Sequence, residues 1–376
     1  MKHWVLSFFV FPLTVLCHGQ GYLDSLPKLN KGDILILGEY HFVQEMQDVE
    51  CEIIQKYTNA YDSIIVFVEA PYFVNFYVNE LFEKGDSVRL KQYARFLGTI
   101  AGPYLYNLIL SLYKIHLENN RIKIICFDDN RHYECALYTI RYCLSFYPNC
   151  PEIIQKRKCQ MDNLLQRGIP KSTTDNEKFA QNYEDFSKHF HKNKNKYKKT
   201  LSNEDFELLT NITNNFENSF DIRESVMCRN IFKHYRQEFR HIVIAGATHA
   251  NKEKILYSYT PFDSKTKPLA WQLNNLKKSP FRHKVYTIHL APHKLIFPET
   301  VISESLTIAS KEITWVIPRI PNHIRKELVT QKKDVAIKMI DPLEYPDIHR
   351  QFDGFILIRK AHSTIPGNKE TIEKNW

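Results

Sequence analysis

The chain has 376 residues, 43% hydrophobic and 25% charged, with a formal net charge of +9. This is ordinary globular composition, which excludes a chain too polar to bury a core and allows one large α/β domain or two modest ones. Much of the positive excess is local, in Lys188, Lys192, Lys194, Lys196, Lys198 and Lys199. No nucleic-acid motif accompanies that run, so it reads as solvated surface and no nucleic-acid partner is expected.

The N-terminus has the anatomy of a signal peptide. Lys2 and His3 precede an almost unbroken apolar stretch, Trp4–Leu16, followed by Cys17, His18, Gly19 and Gln20. The stretch is too short to span a bilayer comfortably. Cleavage is expected after Gly19, giving an exported protein, periplasmic or secreted, with no integral membrane segment. Acylation of Cys17 is the weaker alternative, because Leu16 stands where a small residue would be expected. Seven cysteines then remain, an odd number, with no C-x-x-C pair. The four between 135 and 159 would permit a disulfide in an oxidising compartment.

In chain order, Asp33–Leu37 reads as a buried strand and Val43–Tyr57 as a helix. Ser63–Val68 is a second strand, Pro103–Glu118 a helix and Ile122–Phe127 a third strand. Ile222–Glu238 is helical and His241–Ala245 is a fourth strand. Near-continuous apolar runs suggest strands covered on both faces, and strand–helix alternation predicts a parallel sheet. The expected class is therefore α/β: a doubly wound, mostly parallel sheet flanked by helices. Lys284–Leu290, Thr314–Ile317 and Gly354–Ile358 would extend it, with antiparallel edge strands admitted near the C-terminus. The polar stretch 168–200 reads as an insertion or helical excursion rather than core. Residues 20–300 would form the core and 301–376 an extension of the sheet ending in a frayed tail from Gly367. Pro292 to Pro298 is the candidate boundary.

In open α/β sheets, ligands bind at the carboxyl ends of the strands. The four exits carry Gly38-Glu39-Tyr40-His41, Glu69-Ala70-Pro71, Asp128-Asp129-Asn130-Arg131-His132 and Gly246-Ala247-Thr248-His249. Glu69 and His249 directly extend apolar strands, and a buried carboxylate there needs a partner. Asp128 or Asp129 could instead cap the helix that follows. Arg223, Met227 and Asn230 share one helix face, which makes Arg223 a candidate anion clamp or carboxylate partner. Two chemistries fit. In one, His41 or His249 is a general base oriented by Glu39 or Glu69. In the other, His41, Glu69, Asp128 and His249 bind a divalent metal that acidifies water. No H-E-x-x-H, G-x-S-x-G, Walker or dinucleotide motif is present.

The G-E-x-H turn at Gly38–His41 resembles the erythromycin-esterase and ChaN-like superfamily. So do the strand ending in Glu69-Ala70, the R-[DE]-x-x-M-x-x-N helix at Arg223–Asn230 and the Gly246–His249 turn. The resemblance implies a doubly wound core, with His41 as metal-free general base, Glu69 assisting and His249 as the histidine of the last motif. Esterase members act on a macrolide lactone; other branches bind haem or iron compounds, or are metal-dependent peptidases or toxin domains. Here one residue separates Glu39 from His41, which is closer to the ChaN-like spacing. Gly246 and Lys252 stand three residues to either side of His249, where neither supplies a second imidazole. The leading expectation is an exported hydrolase acting on an ester or related bond of a small molecule, with no cofactor. A metal-dependent variant and a haem- or iron-binding protein without turnover, with Tyr40 as an oxygen ligand, are the alternatives. An interaction protein using the Lys188–Lys199 run ranks last.

Overall fold

The computed structural model describes residues 20–96, 98–130, 133–165, 173–214, 220–253, 267–296, 302–303, 306–307 and 320–362. The expected signal peptide at 1–19, His132, the strand expected at Thr314–Ile317 and the tail from Gly367 lie outside them.

Among the described residues there are nine strands: β1 (Ile34–Glu39), β2 (Ile64–Pro71), β3 (Ile122–Asp128), β4 (Arg240–Gly246), β5 (Val285–Ile296), β6 (Ile302–Ser303), β7 (Leu306–Thr307), β8 (Val335–Met339) and β9 (Gly354–His362). Seven form one sheet in the order β3-β2-β4-β1-β5-β9-β8, and β6 pairs with β7. All neighbours in the large sheet run parallel except β8, which lies antiparallel to β9 at the edge. The expected antiparallel edge is thus β8, a strand the sequence reading did not pick out, while β5 and β9 join in parallel. Pro292 lies within β5 opposite Ile358.

The strands read as continuous apolar runs because both faces are covered. On one face, Leu35, Leu37, Val66 and Ile244 pack with Met46, Ile53 and Ile54 of the helix Gln44–Ala60. On the other, Ile34, Ile36, Phe67 and Val243 pack with Met227 and Ile231 of the helix Phe220–Lys233. A third cluster joins Phe355 and Leu357 of β9 to Ile324 and Leu328 of the helix Asn322–Thr330.

The polar 168–200 stretch contributes more than an excursion. The helix Thr173–Lys192 buries Phe179, Tyr183, Phe186 and Phe190, and the short helix Lys194–Thr200 buries Tyr197, all in the first cluster. The four aromatics recur at helical spacing among lysines and asparagines, so a narrow apolar stripe docks an otherwise polar segment. Lys188, Lys192, Lys194, Lys196, Lys198 and Lys199 stay exposed on its outer side. The seven cysteines described are free thiols.

Candidate active site

Each of the first four strands runs past its expected end, so that several of the key residues are strand residues rather than loop residues. β1 takes in Gly38 and Glu39, β2 takes in Glu69 to Pro71, β3 takes in Asp128, and β4 takes in Gly246. These four strands are contiguous in the sheet, so their exits stand side by side. The β2–β3 pairing shifts register between Val68 and Pro71, where Glu69 leaves the regular ladder.

Gly38 and Gly246 sit at points of close approach. A β-carbon on Gly38 would stand 2.6 Å from the Ala250 β-carbon, and one on Gly246 would stand 2.9 Å from His41 Nε2. After Glu39 the chain turns through Phe42, whose φ of 67° is left-handed and costly for a bulky residue. The turn brings the His41 ring back over the strand end, and the Phe42 ring packs edge-on against Tyr104 at 5.5 Å.

The residues singled out in the sequence converge. His41 Nδ1 lies 2.9 Å from Glu39 Oε1; facing a carboxylate, that nitrogen is the N–H donor. His41 Nε2 lies 3.7 Å from Glu69 Oε2. Glu69 Oε2 also accepts the Gly246 backbone N–H at 2.6 Å. Glu69 Oε1 accepts from Arg223 Nη2 at 2.6 Å and lies 3.3 Å from His249 Nε2. Arg223 grips Asp128 with both arms of its fork, Nε to Oδ1 at 2.8 Å and Nη2 to Oδ2 at 2.6 Å. Asp128 Oδ1 further accepts the Asp129 backbone N–H. Asn230, one face with Arg223, donates to the Phe127 carbonyl at 3.0 Å and fixes the β3 exit.

Three further side chains complete the arrangement. Glu224 Oε1 sits 2.5 Å from His249 Nδ1. The Tyr104 hydroxyl donates to Glu39 Oε2. Glu50, on the helix Gln44–Ala60, is fully buried beside the Glu39 carboxylate, which acts on it electrostatically. Glu224 adjoins Arg223 in the helix motif, so its neighbour was the available signal. Tyr104 comes from a helix distant in sequence, whereas Glu50 comes from the helix that directly follows β1. The turn that carries His249 is tied down from the far half of the sheet, where Lys252 Nζ pairs with Asp353 at 2.7 Å. Asp353 also accepts the Thr287 backbone N–H.

Electrostatics follow from the carboxylates. Burial opposes charge on His41, but Glu69 and Glu39 outweigh it and its pKa is pushed up to about 9. Burial likewise opposes charge on His249, yet Glu224 and Glu69 raise its pKa to about 10. Burial would push the Glu69 carboxyl up, but His249, His41 and Arg223 hold it well below the usual carboxylate range. Burial, then the Glu39 and Glu50 carboxyls, keep the Tyr104 hydroxyl protonated and donating.

A cleft of about 190 Å³ opens over these groups, lined by Glu39, His41, Glu69, Asp128 and Arg223 with an apolar wall that includes Phe42, Leu105 and Leu108. The Glu39, Glu69 and His249 side chains are 2%, 6% and 4% exposed, whereas His41 keeps 38%. The imidazole most open to solvent is therefore the one backed by Glu39. Tyr40 packs edge-on against His289, with ring centroids 6.0 Å apart. Among the described residues, no three His, Cys, Asp or Glu side chains are grouped to hold a metal ion. The Arg223 guanidinium occupies the place a cation would take between Asp128 and Glu69.

Against solved structures, the chain superposes on the erythromycin esterase EreC, a mutant in its open conformation, at 13% identity and a TM-score of 0.57. The match covers 91% of this chain and 92% of that one. The chain has the erythromycin-esterase fold. A Bacillus cereus protein matches at 13% identity and a TM-score of 0.52, over 90% of this chain and 91% of that one. A succinoglycan biosynthesis protein matches at 12% identity and a TM-score of 0.51, over 92% and 90%. No protein-family model and no curated protein matches the sequence. In the esterase fold of this chain, the His/Glu/Arg cluster stands at the carboxyl edge of the sheet, as the rule for open α/β sheets requires. Among the described residues no helix is long and apolar enough to cross a membrane.

Proposed function

We propose that the cleft is the active site of a hydrolase that attacks an ester or related acyl bond of a small molecule with water activated by His41. The observation that carries this reading is the His41–Glu39 pair. A partly exposed imidazole faces the cleft, its Nδ1–H fixed on a buried carboxylate and its Nε2 beside Glu69. The esterase fold supports the same class of reaction.

Water adds to the substrate carbonyl as its proton passes to His41 Nε2. Glu39 steadies the imidazolium so formed. Collapse of the tetrahedral adduct expels the alkoxide, which takes that proton back from His41. Arg223 lines the same cleft, bound to Asp128 and Glu69, and sets a fixed positive charge where an oxyanion develops. With the His41 pKa raised to about 9, the free base that starts the cycle grows as pH climbs through that value.

The test is turnover of a panel of activated and aliphatic esters by the native protein and by His41→Ala. Loss of about 100- to 10,000-fold in kcat is expected for a general base. Unchanged turnover of every hydrolysed ester would overturn the mechanism. The apolar Trp4–Leu16 segment supports export. N-terminal sequencing of protein recovered from the secreted or periplasmic fraction is expected to begin at Gln20.

A further inference from the structure

Glu50 is a carboxyl group where an apolar side chain belongs. On the helix Gln44–Ala60, Met46, Val49, Ile53, Ile54 and Tyr57 form the buried stripe, and Glu50 falls in the middle of it. It is 0% exposed, and neither carboxyl oxygen accepts a hydrogen bond from any donor among the described residues. A carboxylate so placed would carry an uncompensated charge in the core, which costs several kcal/mol. What lies within hydrogen-bonding reach is the Glu39 carboxylate, itself an acceptor. Only an O–H on Glu50 makes that contact favourable.

We propose that Glu50 is a positioning residue, a neutral carboxylic acid that donates its O–H to Glu39 and thereby limits how tightly Glu39 holds the proton on His41. This rests on the reading of His41 as the base. Glu39 then receives from three directions: His41 Nδ1–H, the Tyr104 hydroxyl and Glu50. Each donor disperses carboxylate charge that would otherwise act on the imidazole, so Glu50 keeps His41 able to release and regain a proton. The ionisable groups acting on Glu50 are Glu39 from β1 and Asp48 from its own helix. Tyr104, from the helix Gly98–Asn119, and the neighbouring thiol of Cys51 feel Glu50 in turn. None of these is a cation, so nothing among them favours an ionised Glu50. Burial first, then Glu39 and Asp48, keep its proton on well above the ordinary carboxyl range.

The experiment is an NMR titration of the His41 imidazole, without substrate, in native protein, Glu50→Gln and Glu50→Leu. Gln replaces an O–H donor with an N–H donor at nearly the same volume, so the His41 midpoint is expected to stay where it is. Leu removes the donor, and the midpoint is expected to rise by about one pH unit. An ionised Glu50 predicts the opposite sign, since both variants would delete a negative charge and lower the midpoint. That result, or no response to either variant, overturns the proposal. If Glu50→Leu does not fold, the infrared difference between native and Glu50→Gln decides: the carbonyl stretch of a protonated acid is expected to vanish, and its absence from the native spectrum overturns the proposal. Because no turnover is read, failure here is separate from failure of the hydrolase reading, which the ester assay alone tests.

Discussion

His41 lies against Gly246 so closely that a β-carbon there would stand 2.9 Å from Nε2 and 3.5 Å from Glu69 Oε2. Gly246→Ala is therefore expected to swing the imidazole off its Glu39-bound position. The fold should survive, because the ring edge faces the cleft and has room to move. Misplacement of a catalytic group by about 1 Å can cost about 100-fold. Ester turnover should fall by that order while the thermal midpoint changes little; full activity in Gly246→Ala would show that the ring position is not critical.

Arg223 joins β2 and β3 by binding Glu69 and Asp128 at once. Arg223→Ala strands two buried carboxylates, and breaking such a pair typically costs about 3–5 kcal/mol. Urea denaturation is expected to show a loss in that range. Arg223→Lys keeps the charge but not the fork, and should fall between the two. Equal stability of native and Arg223→Ala would mean that Arg223 does not carry the network.

The pH dependence has a defined sign. His249 has its folded pKa raised from 6.5 to about 10 and His41 from 6.5 to about 9. A raised folded pKa contributes stability that is fully present below about pH 6.5 and is lost as pH climbs through the folded value. Thermal midpoints should thus fall between pH 7 and 10. Glu224→Gln, which removes the carboxylate beside His249 Nδ1, should flatten the part of that slope nearest pH 10. Ester turnover should run the other way, rising toward pH 9 as His41 becomes the free base. A stability profile flat across this window would contradict the charge assignments.

Tyr104→Phe removes a hydroxyl donor from Glu39. The charge left on Glu39 should then hold the His41 proton more firmly. The rising limb of the turnover profile is expected to move to higher pH, and kcat at neutral pH to drop about 10-fold for loss of one hydrogen bond to a charged group. An unmoved limb would separate Tyr104 from the proton chemistry.

The reach of sequence reasoning follows from where each residue sits. Glu39, Glu69, Asp128 and His249 were legible because apolar runs mark strands and parallel strands deliver their ends to one edge. Arg223 was legible from its helix face. Tyr104 was hidden because one tyrosine on an amphipathic helix has no cue for its long-range partner. Glu50 was overlooked although it interrupts the Met46–Tyr57 stripe, since glutamate in a helix ordinarily reads as solvated surface. β8 escaped because Val335–Met339 is short and carries a lysine, and its place is set by pairing with β9.

The tether from Lys252 to Asp353 has its own consequence. Four adjacent strands carry the clustered His, Glu and Asp residues, yet the turn that presents His249 is fastened through Lys252 by a residue just ahead of β9, 101 positions later in the chain. A fragment trimmed to the half of the sheet from β1 to β4 would keep nearly every reactive group and lose the clasp that orients one of them. The smallest autonomous working unit is then the whole sheet, with its C-terminal strands serving as a fastening for a row of side chains they do not themselves supply.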